Sequence, residues 1–553
     1  MEITLPQSPP ANQRGHGTTT PEGKRRMHHP PSRPRRFALI LLALLCALNV
    51  AVAQPADETL VHIESGKIRG VVANDVLSFK GIPFAQPPVG ELRWRPPQPV
   101  APWDGIRDAK AFGPDPVQID WGATEVRKGT AEDCLTINVW RPAAASSKPL
   151  PVMVWIYGGG LISGGASLYS GDALARRGIV VVDFNYRVGR LGFFAHPALS
   201  KETPDEFHGN YGYMDQRAAL QWVQRNIAAF GGDPRNVTIA GESAGGGSVL
   251  VMLSSPETRG LFHRAIIQSA GIPTAREHVT PLTPLATAEE IGTRYAQSLG
   301  ITEEGKPALE KLRALPAAKL AQDIDVGQVL ISMVGGSSAP GIAHCILDGK
   351  LIVESPEAAL RAGRWAKVPI ISGATDFDIA LSTAKTKDAL FAEFGALAPQ
   401  ARALYDPDGV TDFNPLVQAV SADRVMVEPS RNAAELVARA GLPAYHYRFS
   451  YVAEQQRGKA PGATHGAEIA YLFGSIEALP KNVVGKQDIA MSQIIARYWV
   501  NFIKSGDPNS DGLTPWPRYD PAKAEVLNFT NSGVVYERDP LKARLDLWKK
   551  HWE

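Results

Sequence analysis

The sequence predicts an α/β fold with a mostly parallel central sheet. Short β-rich runs alternate with helical stretches, which is typical of parallel strands that are joined by crossover helices. The predicted strands are near-continuous apolar runs, as expected for a sheet that is covered on both faces. Of the 553 residues, 44% are hydrophobic and 21% are charged, an ordinary globular composition with ample length for a large core.

The N-terminal segment 1–53 is predicted to be a secretory signal peptide. Residues 1–36 are rich in Pro, Arg, Gly and His, and a continuous apolar run follows at 37–53. The run ends in Ala-Val-Ala, so we expect cleavage after Ala53 and a secreted or periplasmic protein. A transmembrane anchor is the alternative, because 17 residues lie at the short limit for a span. The polar stretch before the run is long for a signal peptide. Met27 is therefore an alternative start of the protein, because it would leave a polar segment of ordinary length.

Charge and cysteine content exclude several function classes. Segment 1–53 holds seven Lys or Arg and two Asp or Glu, so its removal changes the formal net charge from +2 to −3. Nothing in the remaining chain therefore indicates binding to nucleic acid. Only Cys134 and Cys345 remain, and two well-separated cysteines do not predict a zinc cluster. We expect neither a metal nor another cofactor.

Residues 54–553 are predicted to form a single domain. One long helix is predicted at 214–230, where apolar residues recur at helical spacing. Residues 274–365 are more helical and rich in loops, and they are expected to cover one end of the sheet. The predicted strands span residues 151–157, 179–186, 236–242, 368–374 and 444–451.

The pattern Gly241-Glu-Ser-Ala-Gly245 lies where the third of these strands meets a helix. Gly-x-Ser-x-Gly at such a junction fits a nucleophile elbow, a sharp turn that presents a serine hydroxyl at the top of the sheet. Glycines at this point leave room for the neighbouring strand and helix, so Ser243 is the candidate nucleophile. The alternative is a glycine-rich turn with an incidental serine, because the pattern alone is weak.

A second glycine run, Tyr157-Gly-Gly-Gly-Leu161, follows the first strand. Acyl transfer needs backbone N–H donors aimed at the developing oxyanion, and a glycine loop after a strand can supply them. The predicted donors are Gly159, Gly160 and Ala244. A flexible turn is the alternative interpretation.

A base and an acid complete the predicted site. His465 lies in a Gly-flanked loop after the last predicted strand, where the order Ser, Asp or Glu, His requires the base. Two carboxylates, Asp376 and Asp378, follow the strand at 368–374, and strand alternation alone does not choose between them. The serine would attack an ester carbonyl, the histidine would take its proton, and the carboxylate would hold the imidazole tautomer.

With these motifs the chain resembles the type-B carboxylesterases, the family of cholinesterases, liver carboxylesterases and para-nitrobenzyl esterases. The resemblance runs from about Val61 to Tyr519 and implies the α/β-hydrolase fold. It is carried by the motifs GIPFAQPPVGELRW, AEDCLTINVW, YGGGL, NYRVGRLGF, MDQRAALQWVQRNIAAFGGDP, GESAGG, LFHRAIIQSAG, ATHGAEIAYLFG and WPRY.

The resemblance also implies roles for individual residues. It matches the nucleophile, the base and the three oxyanion donors already named, and it puts Asp378 where the family usually has its glutamate. Glu242 and Ser269 match positions near the triad histidine. Structural ion pairs are implied for Arg93 with Glu132 and for Arg187 with Asp215.

Two departures from the family pattern bear on function. Pro116 replaces the cysteine that would pair with Cys134, so the resemblance implies that Cys134 is a free thiol. Trp121 lies near the position of the choline-binding tryptophan but at the wrong spacing. Choline esters are therefore not favoured.

Several functions compete at the level of sequence. The first is a secreted or periplasmic serine esterase that acts on a small-molecule ester and forms an acyl-enzyme on Ser243. The second is a non-catalytic adhesion or scaffold protein of the same fold, since function depends on the site and not on the fold. A lipase and an amidase are further alternatives, because the same triad serves them. No stable membrane anchor is expected after cleavage, and the oligomeric state stays open.

Overall fold

The computed structural model describes residues 57–120, 123–270, 282–324, 327, 329, 341–343, 345–478 and 483–553. Segment 1–53 and Trp121 lie outside these residues. In the described part of the chain, the central sheet has eleven strands. They are β1 Val71–Ala73, β2 Val76–Pro83, β3 Thr136–Pro142, β4 Leu150–Ile156, β5 Val180–Phe184, β6 Gly232–Glu242, β7 Arg264–Gln268, β8 Ile370–Thr375, β9 Ala444–Phe449, β10 Glu525–Thr530 and β11 Gly533–Arg538.

The sheet is mostly parallel, as predicted. Its spatial order is β11-β10-β9-β8-β7-β6-β4-β5-β3-β2-β1. All neighbours from β10 to β5 are parallel, while the pairs at the two edges are antiparallel. Parallel strands need long crossovers, and these crossovers carry the helices.

The described α-helices include one at the predicted position, Tyr211–Asn226, which continues into a 3₁₀ turn at Ile227–Phe230. In chain order the α-helices are α1 Asp172–Ala175, α2 Gly189–Gly192, α3 Pro197–Glu202, α4 Tyr211–Asn226, α5 Ala244–Ser254, α6 Leu285–Ser298, α7 Gly305–Ala314, α8 Ala317–Ala321, α9 Pro356–Arg361, α10 Lys387–Ala392, α11 Ala398–Tyr405, α12 Phe413–Ala422, α13 Glu428–Arg439, α14 Ala467–Leu472, α15 Lys486–Ser505 and α16 Lys542–Trp552.

The five predicted strands correspond to β4, β5, β6, β8 and β9, with ends that differ by at most four residues. Every residue of β4 from Val152 to Ile156 is fully buried, which explains why its sequence is apolar throughout. Six further strands lie outside the predicted set. One of them, β2, is interrupted by a register shift between Phe79 and Ile82, which hides its alternation.

Smaller elements surround the sheet. Leu60–Ile63, Gly66–Arg69 and Ile106–Asp108 form a separate three-stranded sheet. Two two-stranded sheets pair Thr283–Pro284 with Ile346–Leu347 and Asp115–Pro116 with Thr130–Ala131. None of the described helices combines the length and the apolar character that crossing a bilayer requires.

Both implied ion pairs are confirmed. Arg93 binds Glu132 through two hydrogen bonds of 2.7 and 2.5 Å. Arg187 binds Asp215 through bonds of 2.8 and 2.7 Å, and the Asp215 side chain is fully buried. Forked guanidinium–carboxylate pairs of this kind bind strongly and also hold both side chains in a defined orientation. Cys134 is also confirmed as a free, buried thiol, and burial raises its pKa far above the ordinary value.

Candidate active site

The candidate residues meet at one end of the sheet because each follows the carboxyl end of a parallel strand. Five adjacent strands contribute, in the spatial order β9, β8, β7, β6 and β4. They are followed respectively by the loop with His465, by Asp378, by Ser269, by Ser243 and by the glycine run. Crevices outside the carboxyl ends of parallel strands are the usual ligand sites of such sheets.

Ser243 occupies the turn between β6 and α5. Its φ and ψ angles are 57° and −127°, outside the regions that a non-glycine residue normally adopts. The backbone N–H of Ser243 donates to Gln268 O at 2.9 Å, and Ser243 O accepts from Gly247 N at 2.9 Å. A strained turn that is fixed by the neighbouring strand and by the helix is the expected geometry of a nucleophile elbow.

Three of the four glycines around Ser243 allow close backbone packing. A methyl group on Gly241 would lie 2.5 Å from Gly245 C, and one on Gly246 would lie 2.8 Å from Ala270 Cβ. A methyl group on Gly245 would overlap Ile156 O, at the end of β4. The predicted steric reason for these glycines is therefore confirmed.

The fourth glycine, Gly247, has open space around its Cβ position, so it offers a matched control. We expect Gly245→Ala to lower the free energy of unfolding by about 3 kcal/mol, because the methyl group overfills a packed contact. Gly247→Ala should instead raise it by about 0.5–1 kcal/mol, since alanine is the better helix former. Urea unfolding of both variants measures this difference. Equal destabilisation would contradict the steric account.

His465 contacts Asp378 directly. Nδ1 of His465 lies 2.5 Å from Oδ1 of Asp378, whose side chain is buried. The second oxygen, Oδ2, accepts from Ser269 Oγ at 2.7 Å and from Thr375 Oγ1 at 2.8 Å. Backbone N–H groups add one bond to each oxygen, from Ile379 to Oδ1 and from Thr375 to Oδ2. This carboxylate is therefore held in one orientation toward the imidazole.

Asp376 has a different set of contacts. Its Oδ1 accepts from Ala463 N at 2.8 Å, in the loop that carries His465. The same loop is joined to the end of β8 by Phe377 N, which donates to Ala463 O at 3.1 Å. Asp376 thus supports the histidine loop through its backbone, whereas Asp378 contacts the imidazole ring.

The other ring nitrogen, Nε2 of His465, lies 3.2 Å from Oε1 of Glu242. Among the described hydrogen bonds, none joins this nitrogen to Ser243 Oγ. A methyl group on Gly158 would lie 3.0 Å from Ser243 Cβ and 3.1 Å from Glu242 Oε2, so the two side chains adjoin the same glycine.

The pKa values in this cluster are coupled. Burial alone would lower the pKa of His465, but the carboxylates of Asp378 and Glu242 outweigh it and raise that pKa above the ordinary value. Burial raises the pKa of Glu242 to about 8, and it also raises the pKa of Glu468. Burial likewise acts to raise the pKa of Asp378, yet His465 and the hydrogen bonds keep it below the ordinary value. These groups therefore titrate together.

The glycine run after β4 adopts left-handed geometry. Gly159 and Gly160 have φ angles of 103° and 64°. Gly159 O accepts from Ile162 N and Ser163 N at 3.2 and 3.1 Å, which folds the run into a tight turn. Ala244, the third predicted donor, is the first residue of α5.

Sequence reasoning missed two side chains that support the cluster. Glu468 is fully buried and accepts from Tyr447 OH at 3.1 Å and from Gln268 Nε2 at 3.3 Å. Glu468 gave no helical-spacing signal, because His465 precedes Gly466, the left-handed residue at the start of the helix that carries Glu468. Thr375, which binds Asp378, gave no signal beyond its place at a strand end. Within the described residues, no cluster of His, Cys, Asp and Glu could hold a metal ion.

Comparisons with known proteins show the family of this chain. A profile of the carboxylesterase family matches residues 57–548. The fumonisin B1 esterase of Sphingopyxis macrogoltabida is 36% identical over 525 residues, which cover 90% of this chain and 92% of that protein. The medium-chain fatty acyl-CoA hydrolase precursor of Anas platyrhynchos is 36% identical over 88% of this chain and 91% of its own. Carboxylesterase 1D of Mus musculus is 34% identical over 88% of this chain and 91% of its own.

Comparison with solved structures shows the fold of this chain. Two structures of PNB esterase superimpose with a TM-score of 0.73 at 30% identity, and they cover 89% of this chain and 99% and 100% of theirs. These neighbours share the α/β-hydrolase fold that the sequence implied. The chain belongs to the carboxylesterase family, and it is a serine hydrolase that cleaves carboxylic esters.

Proposed function

We propose that the protein cleaves its ester through an acyl-enzyme on Ser243, with His465 as the base and Asp378 as the orienting acid. The observation that carries this proposal is the 2.5 Å contact between His465 and Asp378 at the end of the sheet where Ser243 forms its strained elbow. A nucleophile, a base and an acid in this chain order are the components of an α/β-hydrolase triad.

In the acylation step, the neutral form of His465, with its Nδ1 proton on the side of Asp378, accepts the proton of Ser243 at Nε2 as the hydroxyl attacks the ester carbonyl. The imidazolium that forms is stabilised by the carboxylate of Asp378, which keeps its own charge. Asp378 and Glu242 raise the pKa of His465 against the effect of burial, so they stabilise the protonated ring that acylation produces. His465 then gives the proton to the departing alcohol.

The developing oxyanion would be bound by the backbone N–H groups of Gly159, Gly160 and Ala244. Preorganised donors of this kind act where charge develops, and each typically contributes a factor of about 10²–10³ in rate. Water then attacks the acyl group with His465 again as the base, which releases the acid and restores the free serine.

The proposed substrates are small, soluble carboxylic esters. Related proteins are named for fumonisin B1 and for medium-chain fatty acyl-CoA, so these two compounds belong in a substrate panel. The panel should also hold a short-chain para-nitrophenyl ester, the matching anilide and emulsified triglyceride. We expect fast hydrolysis of the soluble ester. A preference for the emulsion would favour a lipase, and a preference for the anilide would favour an amidase.

Export is the second part of the proposal. Segment 1–53 supports it by its basic stretch, its apolar run and its small-x-small ending. N-terminal sequencing of protein from the periplasm or the medium should give a chain that begins near Gln54. Recovery of residues 37–53 in a membrane fraction would instead indicate an anchor.

A further inference from the structure

The glycine turn after β4 contains more strained backbone than its glycines explain. Leu161, which is not a glycine, has a φ angle of 60°. A left-handed leucine is unfavourable by about 1–2 kcal/mol and persists only when its surroundings hold it. Part of this support comes from the first residue of α2, because Gly189 N donates to Leu161 O at 2.8 Å. The remaining support comes from a separate loop.

Gln118 binds this turn from outside. Its Nε2 donates to Gly164 O at 2.6 Å, and its Oε1 accepts from Gly164 N at 2.7 Å. The carboxamide therefore pairs with both backbone groups of one residue, much as a neighbouring strand would. The side chain is 1% exposed, and Nε2 also donates to Pro116 O at 2.8 Å, so its orientation is fixed.

Gly164 in turn contacts the start of the glycine run. A methyl group on Gly164 would lie 2.6 Å from Tyr157 Cδ2 and 2.7 Å from Gly158 O. Tyr157 is itself anchored, because its ring stacks on Tyr186 and Tyr186 OH donates to Tyr157 O at 2.9 Å. Gly164 therefore packs directly against the residues that precede the predicted oxyanion donors.

A second bridge joins the same two loops. Asn185 Oδ1 accepts from Ala166 N at 2.9 Å, and Asn185 Nδ2 donates to Pro114 O at 3.0 Å. A third connection is made by Ser167 Oγ, which donates to Asp115 Oδ2 at 2.6 Å. Of these bridges to residues 114–118, the one through Gln118 lies closest along the chain to Gly159 and Gly160.

We propose that Gln118 is a positioning residue that holds the N–H groups of Gly159 and Gly160 at the oxyanion. The inference rests on the proposed function, since it assumes that an oxyanion forms at Ser243. Gln118 acts through Gly164 and does not contact the substrate. Its loss should weaken binding of the transition state much more than binding of the ester, so kcat should fall while KM changes little.

The direct test compares Gln118→Met with Gln224→Met. Gln224 also donates twice to backbone oxygens, Pro234 O and Leu261 O, but these lie near the opposite end of β6. We expect Gln118→Met to lower kcat by about 10- to 100-fold with KM within about twofold, because a small displacement of oxyanion donors is costly. A trifluoromethyl ketone, which forms a tetrahedral adduct with the serine, should lose affinity by a similar factor. The control variant should keep both properties.

A second variant, Gln118→Glu, tests hydrogen-bond direction at constant shape. A neutral carboxyl group offers one donor and one acceptor, so it can pair with Gly164 as the amide does. An ionised carboxylate offers only acceptors and would repel Gly164 O. The kcat of Gln118→Glu relative to the wild type should therefore rise as pH falls, although the absolute rates of both enzymes fall as His465 becomes protonated.

Several results would overturn the proposal. They are an unchanged kcat in Gln118→Met, an equal loss in Gln224→Met, an effect on KM alone, or a pH-independent ratio for Gln118→Glu. If Gln118→Met does not fold, the ratio for Gln118→Glu decides the matter. Failure of the proposed function is distinguishable, because Ser243→Ala would then remain active whatever the Gln118 variants do.

Discussion

Replacing Ser243 by alanine is expected to lower kcat by a factor on the order of 10⁴–10⁶, as for other triad nucleophiles. The variant loses the only atom that can form the acyl bond, while binding and the oxyanion donors persist. Stability should change little, because no described hydrogen bond uses the serine Oγ and only the backbone of Ser243 is bonded. Hydrolysis of a short-chain chromogenic ester, together with a thermal unfolding curve, measures both properties.

Ser254→Ala is a suitable control for this variant. Ser254 lies at the far end of the same helix, α5, and its hydroxyl donates to Val251 O at 3.1 Å. We expect this control to retain the wild-type kcat. Residual activity of a tenth or more in Ser243→Ala would remove Ser243 from the mechanism.

Replacing Asp378 by asparagine is expected to lower kcat by about 10³–10⁴-fold, through the wrong imidazole tautomer and the loss of charge beside the imidazolium. The hydrogen bonds to the Asp378 carboxylate explain why asparagine cannot replace it. Each carboxylate oxygen accepts a backbone N–H, from Ile379 or from Thr375, and a backbone donor cannot reverse its direction. Either orientation of the amide therefore sets its NH₂ group against another donor.

Two further variants make this prediction specific. Asp376→Asn should keep most of the activity, because its remaining oxygen can still accept from Ala463 N. Asp378→Glu should recover only part of the rate, since the extra methylene overfills a buried, fully bonded position. If Asp376→Asn lost more activity than Asp378→Asn, the acid would be Asp376.

The central part of the fold was predictable because fully buried parallel strands have a simple sequence signature. Residues such as Val152 and Ile156 are enclosed on both faces, so β4 is apolar throughout. The strands at and next to the edges lack this signature. The edge strand β11 is only partly buried, and β2, the neighbour of the other edge strand, changes register between Phe79 and Ile82. Their pairing depends on residues that are distant in sequence.

In the candidate site, too, the sequence predicted some residues and not others. Ser243 and His465 could be predicted because chain order and glycine context restrict a triad to few positions. Asp378 could be preferred to Asp376 through the family resemblance and because it lies farther past the strand end, where a loop residue can turn toward the histidine. Gln118 could not be found, because its role depends on a contact with Gly164, 46 residues away, and an isolated glutamine in a loop has no pattern.

The central claim is that an acyl group is attached to Ser243 during turnover. The most direct measurement is mass spectrometry of protein that has been mixed with a short-chain para-nitrophenyl ester and stopped in acid within one turnover. The predicted result is an acyl adduct on the peptide that contains Ser243, and its absence from the Ser243→Ala variant. An adduct on another residue, or rapid turnover with no adduct under conditions where deacylation limits the rate, would contradict the account.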